Sequence, residues 1–126
     1  PTHREALNNF LALAADEAPQ EALSELASLQ NRNPQFSPIP AQMAAIYQKL
    51  GQTDKAIESM VRAVSLAPEN LTYRYNLAVL FDKAGKGQDA VALYRQLLDA
   101  AARGETLPGD ARQIQERLTF LGSNNS

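Results

Sequence analysis

The sequence predicts an all-α fold, a right-handed solenoid of three helix pairs followed by one capping helix, and two observations carry that prediction. The first is a recurrence at a period of about 34 residues, the signature of stacked helix-turn-helix units. Ala22, Ala56 and Ala90 form one series, Leu13, Tyr47 and Phe81 another, and Leu23, Ile57 and Val91 a third; Gly51 returns as Gly85 and Pro34 as Pro68. The second is that apolar residues follow the helical period throughout, with no alternating β-branched run long enough for a strand. A unit of this size cannot bury its apolar face alone, so neighbouring units stack.

Taken in order, residues 3–16 and 20–31 read as a first helix pair, 38–50 and 54–66 as a second, and 71–84 and 88–102 as a third. The punctuation between them has physical causes. Gly51 and Gly85 stand where a left-handed residue ends a helix without a Cβ clash. Pro34 and Pro68 cannot continue a helix and turn the chain into the next unit. Ser37-Pro38 reads as an N-cap followed by proline at the first helical position. Thr53, Asp54 and Asp89 sit at second-helix starts, where they complement the dipole. Ala102 replaces the expected proline in the third unit, so that helix runs toward Arg103 until Gly104 breaks it.

A capping helix is expected over 107–121. Pro108 falls two periods after Pro40, and Ile46, Leu80 and Ile114 are in register. Leu107, Ala111, Ile114, Leu118 and Leu121 make an apolar stripe opposite a wet face, as the open end of a repeat array requires. Gly122 and the Ser/Asn tail, 122–126, then leave the fold. The expected organisation is one domain over 1–126, with repeats at 3–36, 37–70 and 71–104. Pro1 reads as a processed N-terminus or a fragment boundary, and the second is preferred, which leaves room for an anchor or further repeats upstream.

Composition bounds the function. A net charge of −2 offers no basic stripe for nucleic acid. Cysteine is absent, so disulfides are excluded, and no apolar run is long enough to span a membrane. The single histidine, His3, cannot assemble a triad or a metal cluster. Gly85-Lys86-Gly87 reads as an inter-helix turn rather than a phosphate loop, and the carboxylates Asp16-Glu17 and Asp54/Glu58 sit at helix ends rather than facing across a cleft. No enzyme activity, cofactor or metal is expected.

These residues resemble the tetratricopeptide repeat family over nearly the whole chain. Leu77, Ala78, Phe81, Gly85, Ala90 and Tyr94 match its pattern in the third unit, and Ala44, Tyr47, Gly51, Ala56, Ala63 and Pro68 in the second. The first keeps Ala22 and Pro34 but has Phe10 at the small position and Glu17 at the glycine. Helix pairs followed by a cap are also similar to repeat segments of bacterial envelope-assembly and secretion proteins. That likeness implies a soluble bacterial chain, of cytoplasm or periplasm.

The resemblance implies close helix contacts at Ala44, Ala56, Ala63, Ala78 and Ala90, with Tyr47, Phe81 and Tyr94 as core aromatics. It also implies a partner protein or peptide held in a concave groove lined by the first helix of each pair. By register the groove residues are Leu7, Ala41 and Tyr75 in one row, Leu11, Ala45 and Val79 in another, and Asn8, Gln42 and Asn76 in a third. Three primary amides at one repeat position can each donate to and accept from a peptide backbone; three solvated polar residues are the alternative. Leu7 and Leu11 stand where the family's carboxylate clamp needs Lys and Asn, so no clamp is expected. Lys49 and Lys83 recur and suit either an acidic ligand or a solvated face, and Arg74-Tyr75 either an anchor or packing on the next helix. The competing function is a structural scaffold segment that stacks on further repeats or self-associates.

Overall fold

The computed structural model describes residues 18–124. Among these it contains six helices and no strand: α1 Pro19–Arg32, α2 Pro38–Lys49, α3 Thr53–Leu66, α4 Leu71–Lys83, α5 Gly87–Ala102 and α6 Ala111–Asn124. The helix expected over 3–16 lies outside the described residues. Contacts divide the chain into two compact units, the first ending at Leu66 and the second beginning at Ala67.

In the first unit, α1 begins with Pro19 in its first turn, carries Glu21 there and Arg32 in its last, and so matches the dipole at both ends. Its buried side chains, Ala22, Leu23 and Leu26, form one stripe that meets Ile39 and Ile46 of α2, with Leu29, Met43, Tyr47 and Leu50 packed around them. Across α3 the buried set is Ala56, Ile57, Met60 and Ala63. The turn after α1 is tied down at two points. Asn33 donates its backbone N–H and its Nδ2 to the Leu29 carbonyl, and Arg62 Nη2 donates to the Pro34 carbonyl at 3.2 Å.

Ser37 does not cap α2. It has helical backbone angles and no side-chain cap bond. The reason lies in the next three residues: Pro38 and Pro40 have no N–H, and the Ile39 N–H is taken by the Phe36 carbonyl. No donor remains for the hydroxyl. At the other end Gly51, at φ +75°, closes a six-residue stop in which Gly51 N donates to Gln48 O and Gln52 N to Tyr47 O. Gly85 repeats the arrangement with Asp82 and Phe81.

In the second unit Asn70 caps α4, its Oδ1 accepting from Tyr73 N at 3.0 Å. Tyr73, Leu77, Ala78 and Leu80 of α4 and Ala90, Leu93, Tyr94, Leu97 and Ala100 of α5 are buried. The three first-helix positions Ile46, Leu80 and Ile114 are 2%, 2% and 3% exposed, so α6 occupies the place of another first helix. It starts at Ala111 rather than near 107, because Asp110 Oδ1 accepts from Arg112 N and fixes the first turn there. It also runs through Gly122 to Asn124, a correction to the expected stop; one glycine costs a helix only about 1 kcal/mol. Ala111 is exposed, and Leu107 and Leu118 are half-buried, so the stripe is anchored by Ile114 and Leu121.

The small positions are close contacts as expected: Ala56, Ala63, Ala78 and Ala90 are fully buried and Ala44 nearly so. Tyr94 is buried, but Tyr47 and Phe81 are only half-buried. The Tyr47 ring lies at the core's margin, with Lys55 Nζ 5.8 Å from its centroid.

Candidate functional site

The residues expected to line a groove fall into three groups. Leu7, Asn8 and Leu11 lie outside the described residues. Ala41, Gln42 and Ala45 share one face of α2, with Ala45 exposed and the other two half-buried. Tyr75, Asn76 and Val79 share one face of α4, where Asn76 is exposed between two half-buried apolar neighbours. Lys49 and Lys83 occupy the last turns of α2 and α4, where a cation complements the helix C-terminus without any ligand.

Tyr75 is partly used inside its own unit. A Cβ placed on Gly109 would lie 3.4 Å from the Tyr75 Cε1 and Cζ atoms, so the ring rests against the segment that leads into α6. Its neighbour Arg74 does not pair with it as an anchor. Arg74 Nε donates to the Pro68 carbonyl at 2.7 Å and its Nη1 to Gln96 Oε1 on α5, which fastens the start of α4.

One constellation was invisible in the sequence. Asp82 of α4 accepts two bonds from Arg117 of α6, from Nε at 2.6 Å and Nη2 at 2.7 Å, in a bidentate fork. The Tyr94 hydroxyl of α5 donates to the same carboxylate at 3.1 Å. The Arg117 guanidinium also lies 4.6 Å from the Phe120 ring centroid. Three helices therefore converge on one carboxylate whose side chain is 12% exposed.

Arg117's hydrogen bonds hold the Asp82 carboxyl below the usual carboxylate range, and Asp82 raises Arg117 in return. Burial, then the Asp82 charge, push the Tyr94 phenol up, so it stays a donor. This chemistry fastens three helices to one another. Among the described residues no three His, Cys, Asp or Glu side chains gather to hold a metal. No helix of the described residues is long and apolar enough to cross a membrane.

The class that these features define is the all-α helical repeat. The chain belongs to the tetratricopeptide repeat family: models of that repeat match residues 41–70 and 73–108, together just over half of it. Solved structures of similar fold include the Yersinia enterocolitica type III secretion chaperone SycD in complex with a peptide of the translocator YopD. It has 14% identity and a TM-score of 0.75, covering 100% of this chain and 97% of that one. PcrH in complex with the chaperone binding region of PopD has 14% identity and a TM-score of 0.76, covering 99% and 95%. TTC0263, a thermophilic repeat protein of this family from Thermus thermophilus, has 29% identity and a TM-score of 0.62, covering 82% of this chain and 49% of that one. No curated protein sequence matches this chain.

Proposed function

We propose that this chain is a non-enzymatic protein-interaction module whose repeats, about 3–36, 37–70 and 71–104, hold a partner's peptide or helix on their first helices. The observation that carries the reading is the α4 face, where the exposed amide of Asn76 stands between the apolar Tyr75 and Val79. A backbone-gripping amide flanked by apolar contacts suits sequence-tolerant capture of a chain segment. Leu7, Asn8, Leu11, Ala41, Gln42 and Ala45 are the equivalent residues of the other repeats. SycD and PcrH, whose fold this chain shares, were each solved holding a segment of another protein, which supports the same use here.

The test is calorimetry with a partner recovered by pull-down, comparing wild type with Asn8→Ala, Gln42→Ala and Asn76→Ala. Each lost amide contact is expected to weaken binding by about 0.5–1.5 kcal/mol. Salt is expected to matter little, because the contacts are uncharged.

The second reading is a scaffold segment that stacks on further repeats or on its own kind. It draws on Phe120, a large apolar side chain 50% exposed on α6. Unchanged affinity in all three variants, with light scattering that shows association lost in Phe120→Ser, would put this reading ahead.

A further inference from the structure

The helix α6 is held differently from its neighbours. α5 buries Ala90, Leu93, Tyr94, Leu97 and Ala100, whereas α6 buries Ile114 and Leu121 with Leu118 half-buried. What α6 lacks in apolar contact it has in the Asp82–Arg117 fork. The segment between α5 and α6 is non-helical and contains Gly104, Pro108 and Gly109. Such a segment can swing without breaking a helix.

We propose that α6 is a latch: it releases as a local unit while α4 and α5 stay folded, and the Asp82–Arg117 pair sets how often it opens. Local opening follows the weakest attached element, and its free energy is that element's own contacts rather than the whole fold's. The groups that face Asp82 are Arg117 from α6 and the Tyr94 hydroxyl from α5, so only α6 leaves a charge behind when it departs. Release also frees the Tyr75 ring from Gly109. Tyr75 and Asp82 lie on one stripe of α4 with Val79 between them, so the latch and the candidate binding face share a helix. The consequence for partner access rests on the groove reading; the opening itself does not.

Hydrogen exchange by mass spectrometry on the whole 126-residue chain tests this without any partner. Peptides covering 111–121 are expected to exchange about tenfold faster than those covering 90–100 in wild type. Asp82→Asn and Arg117→Gln are each expected to speed 111–121 by about a further tenfold and to leave 90–100 unchanged. Raising salt to about 1 M is expected to change the same peptides little, because a contact pair whose carboxylate is held largely out of water is screened weakly. The exchanged pair Asp82→Arg with Arg117→Asp is expected to slow them again. Exchange of 111–121 and 90–100 in a single step in wild type, or folded variants whose 111–121 rates match wild type, would overturn the proposal. The wild-type comparison of the two peptides keeps the test decisive even where a variant fails to fold.

Discussion

The α2–α3 pair and the α4–α5 pair are one repeat apart in register and solve the same packing problem with different residues. Their small positions agree: Ala44 matches Ala78 and Ala56 matches Ala90, all buried. Their larger positions do not. Ala63 in the first pair corresponds to Leu97 in the second, both 0% exposed, and Met60 corresponds to Tyr94, both 4% exposed. A thioether fits an apolar site as it is, but a phenol brings a hydroxyl that must find a partner. Asp82 supplies it where the first pair has the exposed Gln48, and Arg117 neutralises Asp82. Among the described residues no buried side-chain polar atom is left without a partner. The repeat thus keeps close helix approach, while one polar atom in a large side chain recruits a second and a third residue.

The largest effect that would sharpen this contrast is at the Ala63/Leu97 position. Leu97→Ala opens a cavity and is expected to cost about 2–5 kcal/mol. Ala63→Leu overfills a pair built around alanine and is expected to cost about 1–3 kcal/mol. Urea denaturation measures both, and a Leu97→Ala protein as stable as wild type would break the idea that the second pair is built around a larger side chain.

A smaller difference is expected at Asp82 and Gln48. Asp82→Ala strands the Tyr94 hydroxyl and is expected to cost about 1–3 kcal/mol, toward the low end because Arg117 is half in water. Gln48→Ala is expected to stay within about 0.5 kcal/mol. Acid gives a second measure. Because Arg117 lowers the Asp82 carboxyl, its stabilisation is complete above the unfolded value near 4, and it is lost as pH falls through the lower folded value. Asp82→Asn is therefore expected to flatten the stability curve below about pH 4; a curve parallel to wild type would count against the lock.

The smallest contrast is between helix starts. Asn70→Ala is expected to cost about 0.5–2 kcal/mol, since it removes the cap on Tyr73 N. Ser37→Ala is expected to change thermal stability by less than about 0.5 kcal/mol, as its hydroxyl caps nothing. Equal shifts in melting temperature would remove that distinction.

Helix order and the alanine series were legible because they repeat, and periodicity averages over local exceptions. Asn70 was legible in principle, as an amide just ahead of an apolar helix, although asparagine there suits an ordinary turn as well. Ser37-Pro38 misled because the capping rule assumes donors that Pro38 and Pro40 remove. The sequence puts the start of α6 too early because Pro108 imitates a first-turn proline, while Asp110 makes the bond that fixes the turn. The Asp82–Tyr94–Arg117 lock had no signal. It joins residues 12 and 35 positions apart, neither of which is the repeat period, so no pattern within one unit points to it. On the candidate face, the exposure of Asn76 agrees with its polar type, but the use of Tyr75 against Gly109 depends on a segment that the repeat pattern does not describe.

The stops at Gly51 and Gly85 have an evolutionary consequence. Each closes on two backbone hydrogen bonds within the six residues of its own helix end, and among the described residues a Cβ on either glycine would meet nothing within 4 Å. The backbone bonds that end the helix are thus local to it. A duplicated stretch of such a gene therefore carries its own brake wherever it lands, and an extra copy can be added to the array without rewriting its neighbours. Lengthening the protein then demands new side chains only at the faces between copies.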